Sequence, residues 1–256
     1  MGNPFAILNS FARWALLPLL LAWSGADFAR AADQQPFLAR ADKIFIATRS
    51  AHHATPTNTE TAWKFGSACF DRAEFATNDT ERATLAVEGI NAMRELIARE
   101  PKLAAGHYYL AMNLGQLART KTLGALPLVD QMEVEFKIAR DCDEHWDFAG
   151  PDRNLGTLYF EAPGWPASIG NRPKARKHLE RAVEVAPDYP ENHLNLLEAY
   201  LKWDDAKGMR REVIAIKKLW PSAQTNFTGE AWQSNWADWN ARRERLEPRT
   251  KKILAD

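Results

Sequence analysis

The sequence predicts an all-α protein built from consecutive helical hairpins. Apolar residues recur at spacings of three and four over most of the 256-residue chain, as they do in amphipathic helices. Pro187 and Pro221 are expected to end matching helices, and they lie 34 residues apart. Counted back from Pro187, a small–large–small pattern (Ala175, Leu179, Ala182) lets one helix approach its neighbour closely. A repeat of this period indicates an array of helix pairs.

Residues 1–31 predict a secretory signal peptide. Arg13 precedes the apolar run "WALLPLLLAW", which is too short for an ordinary membrane span. Ala29 and Ala31 supply the small residues of an A-x-A cleavage site. An uncleaved anchor is the alternative. We therefore expect an exported, periplasmic protein without a stable membrane span after cleavage.

Residues 32–59 are expected to form a short N-terminal helix and a Thr/Pro/Asn linker that contains His52 and His53. Residues 60–221 then form an array of about four hairpins. The first helix of each hairpin carries a similar trio of residues. A leucine is followed directly by a small residue or a second leucine, and a tyrosine or leucine stands three residues later. The trios are Leu110, Ala111 and Leu114; Leu155, Gly156 and Tyr159; and Leu196, Leu197 and Tyr200. Second helices carry Gly89, Met93 and Leu96, and Met132, Phe136 and Ala139.

This stretch resembles the tetratricopeptide-repeat (TPR) family. The resemblance implies a TPR-like α-solenoid of helical hairpins that binds a partner polypeptide on its concave face. Residues 222–256 are expected to form a C-terminal capping helix region, because Trp232, Trp236 and Trp239 lie on one stripe and Arg242 lies largely off it. Packing explains these tryptophans, and ligand stacking is the alternative.

The third hairpin is interrupted by "EAPGWPASIGNRP", an insertion of about seven residues relative to the repeat. The helix is expected to end near Glu161, because the prolines push the residues before them out of the helical conformation. Asn171 is expected to cap the next helix, with Pro173 in its first turn. Trp165 either packs as local core or borders a ligand site; the sequence leaves both open.

About fifty residues around this insertion resemble exported bacterial TPR-like proteins, including the T component (TatT) of tripartite ATP-independent periplasmic (TRAP) transporters. That resemblance implies a periplasmic solute-binding protein as partner. It also implies an alternative function, a transport-associated protein that holds a small apolar ligand in a cavity near Trp165. The lipoprotein cysteine of such T components is absent here.

Mapping the repeat outward predicts the binding surface. It comprises Tyr108, Met112, Gln116, Arg153, Thr157, Glu161, Trp165, Leu194, Glu198 and Lys202. This mixture of aromatic, polar and oppositely charged side chains suits a peptide or a neutral ligand better than a polyanion.

Composition and motifs argue against other functions. The chain has 33 basic and 33 acidic residues, which gives no general field for nucleic acid. It lacks G-x-S-x-G, H-E-x-x-H and phosphate-binding glycine motifs, so we predict no enzyme, cofactor or metal. His107 and His193 occupy matching first-helix positions, which indicates packing. A disulfide between Cys69 and Cys142 stays open.

Overall fold

The computed structural model describes residues 25–121 and 124–255, with side-chain surroundings for residues 35–121 and 124–251. These residues form ten α-helices, one short 3-10 helix (Glu230–Trp232) and no β-strand. The helices are α1 (Gly25–Ala54), α2 (Thr59–Glu74), α3 (Asp79–Arg99), α4 (Ala104–Arg119), α5 (Leu126–Cys142), α6 (Trp146–Glu161), α7 (Arg172–Val185), α8 (Pro190–Lys202), α9 (Ala206–Asn226) and α10 (Gln233–Ala255). The all-α prediction is confirmed.

The predicted signal segment falls on residues 1–24, which lie outside the described residues, and on the start of α1. It stays a prediction. Among the described residues, no helix is both long and apolar enough to cross a membrane.

The chain divides into two compact units. Among the described residues, the N-terminal unit holds residues 25–101 and 109–132, and the C-terminal unit holds residues 102–108 and 133–255. In the N-terminal unit α1 packs on α2, and α2 pairs with α3. Asn58 and Asn78 cap α2 and α3 by accepting backbone N–H bonds, which satisfies donors that helix starts leave free.

Helix α1 is longer than the sequence indicated. It continues to Ala54, so the prediction that His52 and His53 lie in a linker is wrong. They occupy the last turn of the helix, where His52 is buried and stacks on Phe65 with ring centroids 5.2 Å apart. Burial, with His53 as a second cause, lowers the pKa of His52. This contact with α2 explains why the helix persists into the polar segment.

In the C-terminal unit, α6 pairs with α7 and α8 pairs with α9. The predicted small–large packing is confirmed at the first of these pairs. A Cβ atom on Gly156 would lie 2.6 Å from Cγ of Leu179, so only glycine admits the leucine. Ala175 and Ala182 flank Leu179 on α7 and are equally buried. Sequence spacing therefore identified the helix contact itself.

A buried histidine–carboxylate pair joins the two helices of each hairpin in this unit. The pairs are His107–Glu135 (2.6 Å), His178–Asp152 (2.6 Å) and His193–Glu212 (2.8 Å). His107 and His193 were predicted to serve packing. Each of these imidazoles can be buried between its two helices because it has a polar partner on the facing helix.

Helix α6 begins with an unusual turn. Asp147, Phe148 and Ala149 have φ angles of 51°, 55° and 63°, in the left-handed region that non-glycine residues rarely adopt. Arg153, which has no exposed surface, donates to the backbone oxygens of Asp147 (3.0 Å) and Phe148 (3.1 Å). The turn directs Phe148 against Tyr189, with ring centroids 4.6 Å apart. Burial of this arginine and this ring compensates the strained backbone.

The C-terminal tryptophans are core residues, as packing predicted. Trp232 and Trp239 are buried, and the ring of Trp236 lies 5.1 Å from that of Trp239.

Two expectations about the C-terminal helices are corrected. Helix α9 continues through Pro221 to Asn226, because the extra turn buries Ala223. Arg242 is also buried, since it reaches across to α8.

Cys69 and Cys142 are free thiols, so the disulfide that the sequence left open is not formed in the structure. Burial raises the pKa of both thiols.

Candidate functional site

The segment between α6 and α7 is a closed loop. The predicted boundaries are confirmed: α6 ends at Glu161, and Asn171 caps α7 by accepting from the Lys174 N–H at 2.9 Å. The Gly170 N–H donates to the Pro163 oxygen and the Asn171 N–H to the Tyr159 oxygen, each at 2.9 Å. Backbone hydrogen bonds thus fix both ends of the loop.

Gly170 makes this closure sterically possible. A Cβ atom at that position would lie 2.0 Å from the backbone oxygen of Ala162. The equivalent atom on Gly164 would meet only an oxygen of Gly170 at 3.8 Å, which is an ordinary contact. The two glycines therefore have different roles, and only Gly170 is required by a close approach.

Trp165 stands at the tip of this loop with 88% of its surface exposed. The alternative that it packs as local core is therefore wrong. Ile169, later in the same loop, is half-buried. An exposed tryptophan on a loop tied by backbone bonds presents a large apolar surface at little entropic cost for a partner.

Three predicted residues, Glu161, Glu198 and Lys202, lie close together beside the base of the loop. Glu161 at the end of α6 keeps an exposed surface, and it lies close to Glu198 and Lys202 of α8. Loss of hydration and, second, the Glu198 carboxylate raise the pKa of Glu161, whereas Lys202 opposes the shift. Thr157, one turn earlier on α6, is half-buried and donates to the Arg153 oxygen at 3.0 Å.

Glu198 is held by two arginines of α10. Arg242 Nη2 lies 2.8 Å from Glu198 Oε2, and Arg245 Nη2 lies 2.7 Å from Glu198 Oε1. Burial alone would raise the pKa of this carboxyl, but the two guanidinium groups outweigh burial and lower the pKa. Glu198 therefore anchors α10 on α8 and is committed to an internal contact, whereas Glu161 and Lys202 stay accessible.

A contact between a cationic and an aromatic side chain joins the start of α7, at the end of the loop, to the residue that follows α8. The sequence analysis did not predict this contact. The Arg172 guanidinium lies 5.3 Å from the centre of the Trp203 ring, and Arg172 Nη2 donates to the Trp203 oxygen at 3.2 Å. The rings of Phe160 and Trp203 are 5.7 Å apart. Trp203 directly follows Lys202, so the base of the loop and the end of α8 form one surface. We call this surface, comprising Thr157, Glu161, Trp165, Lys202 and Trp203, the loop surface.

Five predicted surface residues are buried instead. Tyr108, Met112, Gln116 and Arg153 have at most 1% of their surface exposed, so their assignment to an open binding face is corrected. Tyr108 donates to Asp147 Oδ2 at 2.6 Å, and Arg153 Nη2 donates to the same oxygen at 2.7 Å. Leu194 is likewise fully buried.

Gln116 shows why the repeat mapping failed there. Its amide donates to Glu74, and its oxygen accepts from Arg82 at 3.2 Å. The repeat pattern gives the face of a helix, but it does not show that a polar side chain on that face will be enclosed by neighbours.

Among the described residues, no group of three or more histidine, cysteine or acidic side chains is arranged to hold a metal ion.

A comparison with solved structures identifies the fold. The chain is similar to a thermophilic TPR protein from Thermus thermophilus, with a TM-score of 0.58 and 17% identity over 91% of this chain and 100% of that one. The chain has a TPR-like fold. No protein-family model and no curated protein matches the sequence.

The TPR-like fold accounts for the packed helix pairs α2–α3, α6–α7 and α8–α9, with α10 packed on α8 and α9. The narrower resemblance to transporter T components, which came from the region around Trp165, is not tested by the fold and stays a prediction.

Proposed function

We propose that this TPR-like protein is an exported, non-enzymatic interaction protein that binds a partner polypeptide at the loop surface. The observation that carries this proposal is the 88% exposure of Trp165 on a loop closed by backbone hydrogen bonds. Tryptophan is among the residues that dominate the binding energy of many interfaces once a partner buries it.

The surroundings of Trp165 support a peptide as the ligand. Glu161 and Lys202 offer opposite charges near each other, and Trp203 adds a second aromatic ring. A peptide carrying an apolar side chain and at least one cationic side chain would cover the tryptophan and give Glu161 a counter-charge. Restoring a counter-charge to a poorly hydrated carboxylate is favourable.

The alternative is a small apolar ligand enclosed near Trp165, as in a transport-associated protein. The exposure of the ring favours a partner over this alternative, because an enclosing cavity would have to cover most of it. A periplasmic solute-binding protein is the partner that the resemblance implies, and periplasmic location follows from the predicted signal segment.

Two measurements on the full chain test the proposal. The immobilised protein should capture a specific protein from a periplasmic extract of the organism that encodes it, and soluble peptide fragments of that protein should compete. Native mass spectrometry of the purified chain should show no bound small molecule. A retained small molecule together with no captured protein would instead establish the ligand-binding alternative.

A further inference from the structure

The exposed face of α9 is strongly basic, although the whole chain is neutral. Five exposed cationic residues lie along this helix: Lys207, Arg210, Arg211, Lys217 and Lys218. The only acidic residue of α9 is Glu212, which is buried and bonded to His193 (2.8 Å) and Arg211 (3.0 Å). Ile214 lies among these cations with 55% of its surface exposed.

A groove of about 580 Å³ runs along the edge of this face, between α9 and α10. Its floor is apolar and includes Leu197, Ile216, Trp220 and Leu246. Lys217 lines it from α9, and the facing rim on α10 carries Arg243 and Lys251, of which Lys251 is paired with Glu247 at 3.0 Å. The Arg243 guanidinium lies 4.6 Å from the centre of the Trp220 ring.

The groove lies where a repeat of the α8–α9 hairpin would place a further helix. Helix α8 packs on α6 and α7, and α10 packs on α8 and α9. A helix paired with α10 as α9 is paired with α8 would therefore lie in this groove.

From these observations we propose that the groove binds an acidic amphipathic helix of a partner protein. The apolar stripe of that helix contacts the groove floor, and its carboxylates face Lys217, Arg243 and the cations of α9. This docking surface is separate from the loop surface, so either can exist without the other. Helix-in-groove binding requires these two features, an apolar groove and charges that match the rim.

An anionic membrane fits the same surface less well. Apart from Ile214, the apolar groups lie on the floor of the groove, so little apolar surface projects that could insert into a bilayer. Glu244 and Glu247 also line the groove, and their carboxylates would face the lipid phosphates. A peptide helix can avoid these two carboxylates, since its charges are placed individually.

The probe is a labelled synthetic peptide of three heptads, with Leu at positions a and d, Glu at e and g, and Ala elsewhere. Its matched control carries Lys at e and g. Fluorescence anisotropy with the full-length protein should show the Glu peptide binding at least about tenfold more tightly than the Lys peptide. Raising the salt from about 0.05 to about 0.5 M should weaken this binding.

Variants locate the site. The double variant Lys217→Glu/Arg243→Glu should weaken binding of the Glu peptide by about tenfold or more. The control Lys43→Glu/Arg94→Glu changes exposed residues of α1 and α3 by the same total charge and should bind like the wild type. Trp165→Ala should also bind normally. Circular dichroism of each variant should match the wild type.

The proposal is overturned if the two peptides bind equally, or if the groove variant binds the Glu peptide as well as the control variant does. It is also overturned if the protein ignores the Glu peptide but sediments with vesicles containing about 30% phosphatidylglycerol, because the basic face would then be a membrane surface.

Discussion

A buried ion pair holds the start of α6 in place. The side chain of Arg153 is fully buried, and its Nη2 lies 2.7 Å from Asp147 Oδ2. The same arginine lies over the Tyr189 ring at 5.0 Å from the centre. Removing one member of such a pair leaves an uncompensated charge in the interior, whereas removing both does not.

Arg153→Met should therefore destabilise the protein by about 3–5 kcal/mol, because it leaves the Asp147 carboxylate without its cation. The double variant Arg153→Met/Asp147→Asn should recover a substantial part of that loss. Urea denaturation followed by circular dichroism measures both values. Equal stability of the single and double variants would show that the ion pair does not hold the turn.

Glu191 is a second buried charge, with a different consequence. Burial raises its pKa to about 7, although Arg153 and Arg242 act in the opposite direction. The folded protein thus binds this proton more tightly than the unfolded chain, whose carboxyl has its ordinary pKa near 4.5. The stability that this proton provides is fully present below the unfolded value and is lost as the pH rises through about 7.

The variant Glu191→Gln should not show this loss of stability with rising pH. Between about pH 5 and about pH 8, the free energy of unfolding of the wild type should fall relative to that of the variant, by roughly 1–3 kcal/mol. The two proteins differ only at residue 191, so the difference between the two curves isolates Glu191. Parallel curves from urea titrations across this range would refute the shifted pKa.

At the scale of elements, the loop between α6 and α7 combines exposure with order. Its two glycines give a matched pair of tests, because only Gly170 has a backbone oxygen where a Cβ atom would be placed. Gly170→Ala should open the loop and increase hydrogen exchange at the Asn171 amide, which bonds to Tyr159. Gly164→Ala should leave this exchange unchanged, and equal effects of both variants would contradict the proposed closure.

Sequence spacing predicted the elements whose contacts depend on residue size alone. Gly156 and Leu179 could be paired from the repeat, because a missing side chain opposite a large one is visible in sequence. The left-handed turn at Asp147–Ala149 could not be predicted, since it depends on a buried arginine binding the backbone oxygens from the next turn. Burial of Arg242 was missed for a similar reason, because Glu198 lies far away in the sequence.

The predicted site residues differ in accessibility. Glu161 and Lys202 lie close together and are exposed, and Trp165 is exposed in the loop that follows Glu161. Their role in binding stays a prediction. Tyr108 and Arg153 were placed on the same face but are enclosed, because a helix position does not show what covers it. The sequence did carry one unused signal: Trp203 follows Lys202 directly and contacts the base of the loop.

At the scale of the whole molecule, the balance of 33 basic and 33 acidic residues conceals an uneven distribution. Several carboxylates form internal pairs, such as Glu212–His193 and Glu198–Arg242, whereas the cations of α9 are exposed. Net charge therefore excludes a general field for polyanions without excluding a local basic surface. The TPR-like fold provides both the loop surface and the groove within the C-terminal unit.

The most direct test of the proposed interaction role compares Trp165→Ala with Ile46→Ala, which shortens another exposed apolar side chain (66% exposed). Both variants should keep the wild-type free energy of unfolding within about 0.5 kcal/mol, since neither side chain is packed. Only Trp165→Ala should weaken capture of the partner protein, by about tenfold or more. A loss of about 3 kcal/mol or more in Trp165→Ala would mean that the ring is core, and unchanged capture would mean that it does not bind the partner; either result contradicts the account.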